Sequence, residues 1–199
     1  MTLDADAELM LSLQRGDEKA FDEIFRRFHR RVLHFVGRTL GSTHPRLEDL
    51  TQETFLRVYR ARESYEPKAK FSTWLFRIAI NLCLTELSRE RPATFSALED
   101  EAAARKDSTT GDSGPFEPPD TTTPLPEEAL ETLEASEMLK RSIERLPERQ
   151  RIAILLSNFE AMTYEEIAET LDVSLSAVKS LLFRAREALH RDLRRYFTS

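Results

Sequence analysis

The chain has very few of the residues that build disulfides, metal sites or membrane spans. Its single cysteine, Cys83, cannot form a disulfide within the chain. No run of about 18 apolar residues is present, and the acidic start MTLDADAELM lacks the positive charge of a secretory signal. The four histidines, His29, His34, His44 and His190, are scattered without metal-ligand spacing, and no glycine-rich phosphate loop accompanies them. These absences disfavour an enzyme and a membrane protein, and they predict a cytoplasmic chain without cofactor or metal.

Charge is distributed unevenly along the chain, although the net charge is only −6. Residues 1–92 carry 16 basic and 14 acidic side chains, and residues 137–199 carry 11 and 10. The segment 93–136 between them carries 2 basic and 11 acidic side chains and is rich in Pro, Ser and Thr. Such a segment cannot bury a core of its own. The sequence therefore predicts two small modules joined by a flexible acidic linker.

Hydrophobic spacing predicts four helices in the first module. A short helix is expected to end at Gly16, and Asp17 is a candidate N-cap for a long amphipathic helix with apolar residues at i, i+3, i+4 and i+7. A third helix is expected at 47–62. A fourth covers 70–87, with Ser72 as its predicted cap.

The second module has the signals of a helix-turn-helix motif. One helix is expected to reach Pro147, and a second begins there. Thr163 and Glu166 have the spacing of a capping box, and Ser174 is expected to cap a long basic helix after a tight turn. Two helices joined in this way, the second one basic, are typical of DNA-binding proteins. No segment shows strand alternation, so the predicted fold class is all-α.

In such a motif the first turns of the second helix face the major groove of DNA. Lys179 and Arg184 can donate hydrogen bonds to guanine, and Phe183 can pack on a thymine methyl or a sugar. The alternative is an ordinary solvated surface helix. The candidate DNA-binding residues of this module are Ser176, Lys179, Ser180, Phe183, Arg184 and Arg186.

The third helix of the first module has a mixed polar face. Asp49, Gln52, Glu53 and Arg57 are expected to stay exposed on it. Such a face suits docking on another protein, and a merely solvated surface is the alternative.

The segment SYEPKAKFSTW alternates aromatic and basic residues. Single-stranded nucleic acid favours this combination, because bases stack on rings and the backbone attracts cations. The following helix carries Thr73, Arg77, Asn81 and Thr85 at four-residue intervals, which predicts an uncovered polar strip. An ordinary aromatic core pair is the alternative. The candidate residues for single-stranded DNA are Tyr65, Lys68, Lys70, Phe71, Thr73, Trp74, Arg77 and Asn81.

Three segments carry a resemblance to a known family. DLTQETFLRVYR, FSTWLFRIAINLCLTELSRERP and LPERQRIAILLSNFEAMTYEEIAETLDVSLSAVKSLLFRAREAL resemble, in the same order, parts of bacterial RNA polymerase sigma factors of the two-domain extracytoplasmic function (ECF) family. The resemblance covers about residues 10–92 and 137–195. It implies a dissociable, non-enzymatic specificity subunit of RNA polymerase that selects promoters and initiates transcription.

The resemblance also implies that the two modules have different roles. Residues 1–92 would form a region 2-like domain, in which Asp49–Tyr59 binds the clamp helices of the largest core subunit. The loop Tyr65–Phe71 and the helix after it would read and melt the −10 element, with Asn81 at the position used for a flipped base. Residues 137–199 would form a region 4-like domain that reads the double-stranded −35 element. The linker would enter the channel of the core enzyme, and an anti-sigma factor is an expected partner.

Two other functions remain possible from the residues alone. A conventional DNA-binding regulator would bind without polymerase, usually at a palindromic site, because dimer symmetry imposes one. An adaptor or anti-terminator protein that binds polymerase without melting DNA is the other. The conventional regulator does not account for an aromatic and basic loop next to a polar strip.

Overall fold

The structure is a computed structural model that describes residues 4–90 and 136–197. Within these two ranges all regular secondary structure is helical and there is no strand, which confirms the all-α prediction. The predicted linker, 93–136, lies outside the described residues except for Ser136.

The helices follow the order that the hydrophobic spacing predicts. The first module contains α1 (Ala5–Gln14), α2 (Glu18–Leu40), α3 (Leu47–Arg60), a short 3-10 turn (Arg62–Ser64) and α4 (Phe71–Glu90). The second module contains α5 (136–144), α6 (Glu148–Asn158), α7 (Tyr164–Leu171) and α8 (Leu175–Phe197).

The start of α2 confirms the predicted stop and cap. Gly16 has a φ of +97°, a left-handed conformation that glycine adopts at little cost, and it ends the connection from α1. The Asp17 side chain then accepts a hydrogen bond from the Lys19 N–H at 3.1 Å. At the other end Gly41 closes α2 with a φ of +108°.

The start of α4 differs from the prediction. This helix begins at Phe71, so Ser72 lies inside its first turn, and its assignment as the cap is wrong. The Phe71 N–H instead donates to the Asp4 carboxylate at 3.2 Å. From the end of α1, the Gln14 side-chain amide donates to the Glu63 carbonyl at 3.0 Å. The first helix therefore holds both ends of the loop before α4.

Aromatic side chains from α2 and α4 form the centre of the first module. Phe28 meets Phe71 edge to face at 5.3 Å between ring centroids, and Phe35 meets Phe76 at 5.2 Å. Each such pair contributes about 0.5–1.5 kcal/mol beyond its buried area. Cys83 of α4 is also buried, and burial, with a smaller effect of Glu86, raises the pKa of its thiol to about 12.

The helix-turn-helix motif has the predicted caps. The Thr163 hydroxyl accepts from the Glu166 N–H at 3.2 Å, and the Glu166 carboxylate accepts from the Thr163 N–H at 2.9 Å. Asp172 makes the turn in a left-handed conformation, with φ 55°. The Ser174 hydroxyl then accepts from the Ala177 N–H at 3.2 Å and caps α8.

The two modules pack against each other. α2 lies against α6, and α4 lies against α7. Arg151 of α6 donates to the Thr39 carbonyl at the end of α2, at 2.5 Å, and also to the Leu146 carbonyl at 3.0 Å. The Arg38 guanidinium stacks on the Phe159 ring at 3.9 Å. This arrangement places the start of α4 beside the helix-turn-helix motif.

Candidate nucleic-acid and polymerase interfaces

The loop before α4 buries its rings and exposes its cations. Tyr65 packs on Trp74 at 5.0 Å, and Phe71 packs on Trp74 at 5.8 Å. Tyr65 and Phe71 are buried and Trp74 is half-buried, whereas Lys68 and Lys70 are exposed. In this conformation the aromatic residues form the support of the loop, and the lysines form its surface.

Tyr65 combines burial with an unsatisfied hydroxyl. Its oxygen has no hydrogen-bond partner among the described residues. Burial, followed by the charge of Asp4, raises the pKa of Tyr65 to about 12. The hydroxyl therefore stays protonated in this buried position.

The polar strip of α4 is uncovered only in part. Arg77, Asn81 and Thr85 are exposed, but Thr73 is 3% exposed, so the prediction that Thr73 lies on an uncovered surface is wrong. Each four-residue step overshoots a helical turn by about 40°, which puts Thr73 roughly 80° around the helix from Asn81. Thr73 consequently points into the packed side, where its hydroxyl has no partner in the described chain.

Cations in this strip and in the loop before it contact carboxylates. Lys70 lies 2.5 Å from Glu166 of α7, and Arg77 lies 3.7 Å from Asp172. Partial burial acts to raise the pKa of Glu166, but hydrogen bonds from Lys70 and the Thr163 N–H outweigh it, and the pKa is lowered. The hydrogen bond to Glu166 raises the pKa of Lys70. Lys68 pairs locally with Glu66 at 2.6 Å.

The second helix of the helix-turn-helix motif presents the predicted outward face. Val178, Leu182 and Ala185 are buried on its inner side. Phe183 is 54% exposed, an unusual position for a large apolar ring. The exposed candidates on the outer side are Ser176, Lys179, Ser180, Phe183 and Arg184. Arg186 differs, because it is half-buried and lies 3.3 Å from the Tyr164 hydroxyl.

The outer face of α3 carries the predicted polar residues and one apolar residue that the prediction missed. Asp49, Gln52 and Arg57 are exposed, and Glu53 is half-buried and bonded to Arg57 at 2.9 Å. Leu56 is 48% exposed on the same helix. Its position three and four residues from Glu53 and Gln52 puts it on their face, a signal that helical spacing already contains.

One side-chain cluster in the described ranges has the composition of a metal site. His44, Glu86 and Glu90 bring their ligand atoms within 4.8 Å of one another. These groups already bond within the chain: His44 Nε2 lies 2.9 Å from Glu90, its Nδ1 accepts from the Arg46 N–H, and the Arg46 guanidinium pairs with Glu86. The cluster therefore ties the start of α3 to the end of α4.

None of the helices in the described ranges combines the length and the apolar content that crossing a bilayer requires.

Comparison with known proteins agrees with this geometry. Residues 24–92 match the family "Sigma-70 region 2", and residues 136–189 match "Sigma-70, region 4". The ECF RNA polymerase sigma factor SigW of Bacillus subtilis is 32% identical over 182 residues, covering 92% of this chain and 93% of SigW. The ECF RNA polymerase sigma-E factor of Escherichia coli K12 is 33% identical over 192 residues, covering 92% of each chain.

A solved structure shares the fold over nearly the whole chain. The structure of CnrH in complex with the cytosolic domain of CnrY superposes with a TM-score of 0.64 at 25% identity, covering 96% of this chain and 98% of CnrH. The family matches span both modules, and they confirm the resemblance that the three sequence segments carry. The chain belongs to the ECF family of RNA polymerase sigma factors, the subunits that direct promoter-specific initiation of transcription.

Proposed function

We propose that the two modules divide promoter recognition between duplex and single-stranded DNA. The observation that supports this division is chemical: α8 exposes a basic face suited to a groove, whereas the loop and strip at α4 expose cations and an amide over a support of rings. Base edges in a duplex are read by donors in the major groove, and unpaired bases are bound by rings, amides and cations.

At the −35 element, Lys179 and Arg184 donate to base edges, and Ser176 and Ser180 contact bases or phosphates. Phe183 gains apolar contact with a thymine methyl or a sugar. Arg186, held by Tyr164, serves a phosphate and positions the helix.

At the −10 element, Lys68, Lys70 and Arg77 bind the backbone of the separated strand, and Asn81 bonds an extruded base. Trp74 offers its half-exposed ring. Tyr65, Phe71 and Thr73 are buried in this conformation, so they act as support unless the loop rearranges.

The outer face of α3 is the proposed docking surface for the clamp helices of the largest core subunit. Asp49, Gln52, Glu53 and Arg57 supply polar contacts, and Leu56 adds an exposed apolar side chain near them. The protein acts in the cytoplasm as a binding subunit without catalysis of its own.

An anti-sigma factor is a further proposed partner. CnrH, which has a similar fold, was solved with the cytosolic domain of a second protein. A comparable partner here would cover surfaces of both modules and prevent assembly with polymerase.

The division is tested by footprinting holoenzyme on a promoter that the protein uses. Asn81→Ala should reduce permanganate reactivity of unpaired thymines at −10 while nuclease protection at −35 persists. Arg184→Ala should weaken nuclease protection at −35 more than it weakens permanganate reactivity at −10. If both variants lose both signals to the same extent, the assignment of separate surfaces is wrong.

A further inference from the structure

Helix α1 is hydrogen-bonded to both ends of the loop before α4. At the amino end of the loop, the Gln14 side-chain amide donates to the Glu63 carbonyl at 3.0 Å and to the Tyr65 carbonyl at 3.4 Å. At the carboxyl end, the Asp4 carboxylate accepts from the Phe71 N–H at 3.2 Å. Gln14 is the last residue of α1 and Asp4 is its N-cap. The two anchors of the loop are therefore the two ends of one helix.

The bond from Asp4 to Phe71 also completes the start of α4. The first N–H groups of a helix have no partner within it, and a capping side chain usually accepts from one of them. Here the acceptor comes from another helix, because Phe71 is the first residue of α4. A negative charge at this end of a helix is also favourable to the helix dipole. Asp4 thus fixes the point at which the loop becomes α4.

α1 is itself fixed to α2, independently of the loop. It packs on α2, and its apolar residues Ala7, Met10 and Leu13 are buried. Arg27 of α2 adds a salt bridge to Asp6 at 2.8 Å. The match to Sigma-70 region 2 begins at residue 24, so α1 lies before the matched range. A helix that is held by α2 on one side and bonded to the loop on the other can set the position of the loop.

The spacing of the anchors limits the shapes that the loop can adopt. Asp4 and Gln14 stand ten residues apart, which is about 15 Å at the rise of a helix. The six residue steps from Tyr65 to Phe71 span at most about 20–22 Å. With both ends held by one rigid helix, the loop samples few of the shapes that a free segment of this length could adopt. Ordering it on a ligand consequently costs less conformational entropy.

We infer that Asp4 and Gln14 are positioning residues for −10 recognition. α1 preorganises the loop, so that Lys68 and Lys70 meet the separated DNA strand with little further ordering. This inference rests on the proposed −10 role of the loop. Each positioning residue acts through the backbone group that it bonds, so −35 recognition and assembly with core polymerase do not depend on either.

The test removes the two anchors separately. In Gln14→Glu, a carboxylate oxygen replaces the amide donor and cannot donate to the two carbonyls. Asp4→Ala removes the acceptor, whereas Asp4→Asn keeps an acceptor oxygen and can still cap α1, which makes it the conservative rescue. The matched control is Asp6→Ala. It removes a carboxylate from the first turn of the same helix, but the partner of that carboxylate is Arg27 of α2.

The measurement is made on holoenzyme assembled from core polymerase and each full-length variant. The probe is a promoter fragment on which the unaltered chain directs a start site. Permanganate reactivity at −10 reports DNA opening, nuclease protection at −35 reports duplex binding, and titration with labelled core reports assembly. Gln14→Glu and Asp4→Ala should each lower the open-complex equilibrium constant about twofold to twelvefold, the range for one hydrogen bond. Protection at −35 and assembly should stay unchanged, and Asp4→Asn should restore opening.

The inference is overturned if either Gln14→Glu or Asp4→Ala keeps or raises the permanganate reactivity of the unaltered chain, or if Asp6→Ala loses as much. Equal losses in assembly or in −35 protection would also overturn it, since they would indicate general unfolding. Lys68→Ala/Lys70→Ala separates this failure from a failure of the proposed function. If the lysine variant loses reactivity and the anchor variants do not, only the inference is wrong. If the lysine variant loses none, the proposed −10 role of the loop is wrong, and the inference is wrong with it.

Discussion

Replacing Asn81 with alanine separates the proposed DNA role from folding. Asn81 is exposed, and its side chain has no hydrogen bond to any residue in the described ranges. Alanine is also the better helix former, by about 0.5 kcal/mol at an exposed helical position. We therefore expect Asn81→Ala to leave the free energy of unfolding unchanged or slightly higher. Assembly with core polymerase should be unaffected, because the docking face lies on α3.

The Asn81→Ala variant should be impaired only in opening the promoter DNA. A hydrogen bond between an amide and a base contributes about 0.5–1.5 kcal/mol net, which corresponds to a reduction of roughly twofold to twelvefold in the open-complex equilibrium constant. Permanganate reactivity at −10 would measure this constant, and fluorescence titration with labelled core would measure assembly. Ser88→Ala, an exposed substitution two turns further along α4, is the control. Equal losses in assembly and opening would refute the role of Asn81.

Three further predictions concern other parts of the chain. Leu56→Ala should weaken assembly with core polymerase by about fivefold, since burying the exposed half of a leucine contributes on the order of 1 kcal/mol; an unchanged dissociation constant would remove Leu56 from the interface. Arg184→Ala should cost about 1–3 kcal/mol in binding to a −35 duplex and nothing in binding to single strands, as measured by anisotropy on both probes. Cys83, buried with a pKa of about 12, should resist thiol reagents at neutral pH until denaturant unfolds the chain. Rapid labelling of the native protein would contradict its burial.

Local signals explain why much of the fold could be predicted. Asp17 and the pair Thr163–Glu166 cap the helices that follow them, because capping depends on residues two or three positions apart. The outward face of α8 followed from helical periodicity for the same reason. The sequence contains these relations within one or two turns.

Contacts between distant residues explain what could not be predicted. Asp4 bonds the Phe71 N–H across 67 positions, and no local pattern indicates that pair. Glu166 is recognisable as half of a capping box, yet its other oxygen holds Lys70 of the first module. Thr73 was misplaced because a four-residue repeat drifts around a helix whose turn has 3.6 residues.

Start-site-specific transcription tests the central claim most directly. Purified chain is added to core RNA polymerase on a broad set of promoter fragments, including the region upstream of its own gene, and run-off products are mapped. We predict discrete transcripts that require the chain and that Asn81→Ala and Arg184→Ala both reduce. If no fragment produces a start site that depends on the chain, although the chain binds core polymerase, the assignment as a promoter-selecting sigma factor is contradicted.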